Sequence, residues 1–137
     1  MSASVASDVR RAVDYIEANL TAAVTLEDIV RAAGVSSRGL FRRFRHGTGL
    51  SPMAYLRNAR FARVHEALRR APVGERIADI AALWGFDHLG RFAGEYRRRF
   101  GETPSETKAS RRAISGRARA RSLPHHQQAR DHAGARD

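Results

Sequence analysis

The sequence predicts an all-α chain of about seven helices, in which one short helix pair occurs twice and a long central helix joins the two copies. Three observations carry this reading. Apolar residues recur at helical spacing through most of the chain. Arg38, Arg42 and Arg45 stand at i, i+4 and i+7, while Leu40 and Phe44 are themselves four apart. At about 100° per residue the three arginines share one helix face and the two apolar residues share the opposite one. Finally, a segment near residue 26 returns about fifty residues later.

The repeat can be written out. Laying Leu26 to Val35 over Ile77 to Phe86 matches Leu26 with Ile77, Ile29 with Ile80, Gly34 with Gly85 and Val35 with Phe86. After a one-residue step, Leu40 falls on Phe92, Phe44 on Tyr96, Gly49 on Gly101 and Pro52 on Pro104. Each copy is a short apolar helix ending in glycine, followed by a second helix with a charged face. That is the pattern of a helix-turn-helix.

Taken in order, Val9, Val13, Ile16 and Leu20 predict a first amphipathic helix near residues 8 to 20. Thr25 followed by Asp28 supplies a cap for the next helix, which turns Leu26, Ile29, Val30 and Ala33 inward. Gly34 permits the tight turn into the arginine-bearing helix at about 36 to 46, and Gly47, Thr48 and Gly49 end it. Ser51 and Pro52 start a long helix through about Arg70, with Met53, Leu56, Phe61, Val64, Ala67 and Leu68 in its apolar stripe. The stretch Ala71-Pro72-Val73-Gly74 stops it. The second unit follows at about 76 to 100, with Trp84, Phe86 and Tyr96 as core residues, and Thr103-Pro104-Ser105-Glu106 opens a closing helix.

Charge points to the class of partner. A formal net charge of +11 and a pI near 11.5 favour a polyanion, nucleic acid or an anionic membrane surface. No apolar run approaches the length of a membrane span, and the N-terminus lacks the basic region and apolar core of a signal peptide, so a cytoplasmic location is expected. The absence of cysteine excludes disulfides, thiol nucleophiles and cysteine-ligated metal sites. Neither paired carboxylates in a pocket-forming context, nor a nucleophile with a base partner, nor a phosphate loop is present, which argues against an enzyme. No cofactor is expected.

The run Gly85-Phe86-Asp87-His88-Leu89-Gly90-Arg91-Phe92-Ala93, continuing to Tyr96, Phe100-Gly101-Glu102 and Pro104-Ser105, resembles the DNA-binding domain of AraC/XylS-type transcription regulators, nearest the XylS branch. Arg57-Asn58 at the start of the linking helix is similar to that branch too. The resemblance spans roughly residues 8 to 110. It implies two helix-turn-helix subdomains joined by a helix, binding of double-stranded promoter DNA, and activation through contact with RNA polymerase. The expected organisation is a flexible N-terminus at 1–7, a DNA-binding domain at 8–110 and a disordered basic tail at 111–137. Within the domain the first helix-turn-helix lies at about 25–46, the linking helix at about 51–70 and the second helix-turn-helix at about 76–100. Most relatives carry an additional effector-binding or dimerisation domain, for which 137 residues leave no room; the chain is a small stand-alone regulator or a fragment.

Geometry and resemblance together select the reading residues. Arg38 and Arg42 are expected to contact bases, because arginine meets guanine O6 and N7 in a bidentate pair worth about 1 to 3 kcal/mol of discrimination. Phe41, at the edge of that face, either packs on a thymine methyl or lies half-buried against a neighbouring helix. Arg91 matches the family's reading position in the second unit. Arg43, Arg45, Arg97 and Arg98 are expected at phosphates, and His88 either at phosphate or as a contact at the start of its helix. Gly90 and Gly94 leave the second reading helix bare, so specificity should lean on the first unit. Arg57 and Arg60 lie within the apolar stripe of the linking helix, where snorkelling or a structural ion pair outweighs DNA contact.

From Lys108 to Asp137 eight basic residues face two acidic ones, with almost no large apolar side chains. Such an arm adds salt-sensitive affinity without choosing a site. His125-His126 within it is a matter of composition rather than a metal site. A linking helix of about twenty residues is roughly 30 Å long, close to the 34 Å repeat of B-DNA, so one monomer could place two reading helices in successive major grooves. The competing reading is a non-specific architectural DNA-binding protein, which predicts steep salt dependence with little sequence preference.

Overall fold

The computed structural model describes residues 6–110. Six helices run α1 (Ser7–Ala18), α2 (Leu26–Ala33), α3 (Ser37–Thr48), α4 (Pro52–Arg70), α5 (Ile77–Leu83) and α6 (Leu89–Phe100). A further helical segment at 104–110, α7, follows, and no strand occurs among the described residues. The basic arm and the His125-His126 pair lie outside them. α1 begins at Ser7, with Ala6 in extended conformation as its N-cap. The chain divides into two compact units, one up to Ala62 and one from Arg63, and α4 contributes to both.

In the first unit, local sequence fixes the helix ends. The Thr25 hydroxyl accepts from Asp28 N at 3.1 Å while the Asp28 carboxylate accepts from Thr25 N at 3.0 Å, a reciprocal capping box at the start of α2. Gly34 ends that helix at φ +74, a conformation that disfavours any residue with a Cβ, and the chain turns directly into α3. The core is Val9, Ala12 and Ile16 of α1, Leu20 of the following loop, Ile29 and Ala33 of α2, Leu40 and Phe44 of α3, and Leu56 and Phe61 of α4. Each large member contributes about 1.5 to 3 kcal/mol through burial. Phe44 meets Tyr55 edge to face at 5.5 Å between centroids.

Arginines tie these helices together. Arg11 donates from Nε and Nη2 to Ala33 O at 3.1 and 2.7 Å, satisfying a carbonyl at the C-terminus of α2. Arg60 donates to Leu20 O at 2.9 Å and Ala22 O at 2.6 Å, fixing the loop after α1. Arg57 lies 5.5 Å from the Phe61 ring centroid. Both linking-helix arginines therefore serve the fold, as their place in the apolar stripe suggested. Met53 departs from expectation. It is exposed, because the buried first turn of α4 is occupied by Pro52.

In the second unit, Val64 and Leu68 of α4, Ile80 and Ala81 of α5, Phe86, and Phe92 and Tyr96 of α6 form the core. Rings follow one another through Phe86, Phe92, Tyr96 and Phe100 at centroid distances of 5.0, 5.7 and 4.5 Å. His65 stacks on Phe100 at 4.3 Å. Trp84 is only half-buried, with the Arg63 guanidinium 5.8 Å from its ring. Tyr96 is wholly buried, so its hydroxyl must be satisfied internally. The Thr107 hydroxyl donates to Glu102, which leaves it to accept from Tyr96 at 2.7 Å. Tyr96 in turn accepts from His65 Nδ1 at 2.9 Å. With these directions His65 carries a proton on Nδ1. Thr103 and Glu106 form a second capping box at the start of α7.

Burial holds the His65 pKa below its ordinary value, helped by Arg69 and opposed by Glu102 and Glu66. The native state therefore binds this proton less readily than the unfolded chain, so stability is present above about pH 6.5 and declines as pH falls below it. Urea unfolding of the intact chain at pH 7 and pH 5.5 should show this loss, and His65→Gln should reduce the difference between the two pH values.

Candidate nucleic-acid interface

The arginine face of α3 is set by its buried face. Leu40 and Phe44 are fully buried, and a rigid helix then has only one orientation for the residues between them. Arg38, Phe41, Arg42, Arg45 and His46 all lie exposed and line a shallow groove of about 490 Å³. No ion pair to Arg38, Arg42 or Arg45 occurs among the described residues. Three guanidinium groups around an exposed aromatic ring suit the major groove, where donors meet guanine and an apolar edge meets a thymine methyl. Phe41 sits with the arginines, 37% exposed, and not within the core. His46 was missed by the sequence reading. Its signal was the four-residue spacing from Arg42.

Arg43 occupies a different environment. Its Nε and Nη2 both donate to Oδ2 of Asp8, at 2.7 and 2.6 Å. Asp8 is 5% exposed, and its other oxygen accepts from Val9 N at 2.9 Å. The Arg43 guanidinium holds the Asp8 carboxyl below the usual carboxylate range. The expected phosphate ligand is thus engaged in an internal ion pair between α1 and α3. Sequence alone offered little signal, since the partner stands 35 residues away.

In α6, Phe92 and Tyr96 are buried, while Leu89, Gly90, Arg91, Gly94, Arg97 and Arg98 are exposed. His88 is the N-cap, its Nδ1 accepting from Arg91 N at 3.3 Å. Between the two expectations for His88, the structure displays the contact at the helix start. Arg99 pairs with Glu95 at 2.9 Å. In the 52-residue register that matches Leu40 with Phe92, Gly90 and Gly94 take the places of Arg38 and Arg42, and Arg97 and Arg98 those of Arg45 and His46. Both helices end at a glycine in the left-handed region, Gly49 at φ +80 and Gly101 at φ +75, each donating to the carbonyl four residues back.

Comparison with known proteins agrees with this architecture. Residues 29–110 match the family model described as a helix-turn-helix domain. The crystal structure of a probable AraC family transcriptional regulator from Rhodopseudomonas palustris CGA009 is similar with a TM-score of 0.71 at 38% identity, over 77% of this chain and 98% of that one. The chain belongs to the AraC/XylS family. Other AraC/XylS-type relatives are a "Probable thc operon regulatory protein" of Rhodococcus erythropolis, 44% identical, and the "XylDLEGF operon transcriptional activator 2" of Pseudomonas putida, 41% identical. The matches cover 72% and 71% of this chain but 30% and 62% of those two proteins. This is a family of transcription regulators. No helix among the described residues is long and apolar enough to cross a membrane, and no group of side chains there could hold a metal ion.

The bare positions of α6 have no internal cause. A Cβ at Gly94 would meet only Arg98 Nη1 at 3.7 Å, an ordinary contact. Gly94→Ala is therefore expected to raise stability by about 1 kcal/mol in chemical denaturation. At Gly39 a Cβ would stand 3.0 Å from Arg43 Nη2. Gly39→Ala should gain less or lose, because the new methyl displaces the guanidinium from Asp8.

Proposed function

We propose that this chain is a sequence-specific DNA-binding transcription regulator that acts as an activator on promoter DNA. The observation that carries the reading is the exposed Arg38, Phe41, Arg42 and Arg45 face on a helix whose opposite side is fully buried. In this reading Arg38 and Arg42 contact guanine edges, Phe41 meets a thymine methyl, and Arg45 contacts phosphate. In the second unit Arg91 is the base-contacting side chain, and Arg97 and Arg98 contact phosphates. His88 acts first as a helix cap, with its outer nitrogen available to a phosphate. The nineteen residues of α4 correspond to about 28 Å, near the helical repeat of B-DNA, which supports entry of α3 and α6 into successive major grooves by a monomer.

The names of relatives support the activating role, since the Pseudomonas putida protein is described as a transcriptional activator. Activation then proceeds through contact with RNA polymerase, in the cytoplasm, without a cofactor and without enzymatic chemistry. The exposed Phe41 ring among the arginines of α3 favours this over an architectural role, which needs charge alone.

The two classes of arginine should separate in a binding assay across a salt series. Arg38→Ala should cost about 1 to 3 kcal/mol on the chosen sequence and relax preference at one base pair. Arg98→Ala should weaken specific and random duplexes alike and flatten the salt slope by about 0.9. Equal losses on both duplexes from both variants would reject the division of roles and leave a sequence-blind binder.

A further inference from the structure

We infer that Asp8 is a positioning residue for DNA discrimination: by holding Arg43 in an internal ion pair, it withholds one cation of α3 from phosphate and so limits sequence-blind affinity. The inference rests on the proposed DNA-binding role of α3.

Arg43 stands on the flank of α3, next to Arg42 and three residues before His46. A long basic side chain at the edge of a major-groove face is well placed for the sugar–phosphate backbone, and its charge would add to every duplex equally. Here the guanidinium turns back along the helix. It lies over Gly39, where a Cβ would come within 3.0 Å of Nη2 and 3.3 Å of Nη1, and both Nε and Nη2 reach one oxygen of Asp8. The open space over Gly39 and the carboxylate on α1 both favour this path. Asp8 is 5% exposed, so its charge has little water to neutralise it and holds the guanidinium strongly. The pair is close to electrically neutral as a unit, and a neutral unit releases no counterion from DNA.

In the second copy of the repeat the corresponding position is acidic and occupies an arginine of its own helix. In the 52-residue register Arg43 corresponds to Glu95, and Glu95 accepts from Arg99 Nε and Nη2 at 3.1 and 2.9 Å. On both reading helices this flank carries an internal ion pair, while the positions of Arg45 and Arg97 remain exposed. The division allows α3 to keep its base-directed arginines without adding a further charge that binds every sequence.

The test measures binding of the full chain to a specific and to a random duplex between 50 and 200 mM salt, with folding of each variant checked by thermal melting. Asp8→Asn keeps the shape and removes the charge. It should steepen the slope of log K against log salt by about 0.9, an extra loss of about 3.5-fold across that range, and narrow the ratio of specific to random affinity. Adding Arg43→Ala to Asp8→Asn should return the slope to that of the unmodified chain. Arg43→Ala alone should leave the slope unchanged where Arg45→Ala flattens it by about 0.9, and this comparison stands even if Asp8→Asn fails to fold. A flattened slope in Arg43→Ala, or an unchanged slope in folded Asp8→Asn, would overturn the inference. A slope indifferent to Arg45→Ala as well would remove α3 from the DNA and with it the underlying reading.

Discussion

Complete burial of Leu40 and Phe44 on one side of α3 is the constraint on which the interface depends. Removing these side chains from water stabilises the first unit, and because a helix advances by a fixed angle per residue, the same burial dictates that Arg38, Arg42 and Arg45 face outward. No separate interaction is needed to aim them. Phe92 and Tyr96 impose the same condition on α6. The core and the interface are therefore two consequences of one pattern, and a substitution that rotated either helix would damage both.

A net charge of +11 overstates the cationic surface offered to a partner. Arg11 and Arg60 satisfy carbonyls at the ends of helices and loops, Arg43 balances the buried Asp8, and Arg99 pairs with Glu95. Arg11, Arg43 and Arg60 act as struts between separate segments of the first unit, while Arg99 pairs within α6. Among the described residues, Arg38, Arg42 and Arg45 of α3 and Arg91, Arg97 and Arg98 of α6 stay exposed on the sides away from the core. Position in the fold, more than composition, separates structural from interfacial arginine.

The tandem repeat was legible because each copy repeats the same apolar and glycine positions, and the physics that uses them is local. The capping boxes at Thr25 and Thr103 were readable for the same reason, as each is closed within four residues. Long-range pairings were not. Nothing near Arg43 announces Asp8, so the helical pattern assigned Arg43 to phosphate; the apolar stripe gave Arg60 a structural role, but nothing near it announces the carbonyls of Leu20 and Ala22. Met53 shows the other limit, since a stripe defined by angle does not reveal that Pro52 already fills the first turn. The polar chain from His65 through Tyr96 to Thr107 and Glu102 joins three helical segments and the turn between two of them, and only their packing brings it together.

The central claim is that two reading units on one chain recognise one duplex by sequence. Its most direct measurement is selection of bound sequences from a random DNA pool by the intact chain at physiological salt. The account predicts an enriched motif with two blocks about one helical turn apart, with guanine in the block read by α3. Strong retention of DNA without any enriched motif would contradict it, because sequence-blind binding leaves the arginines of α3 with nothing to read.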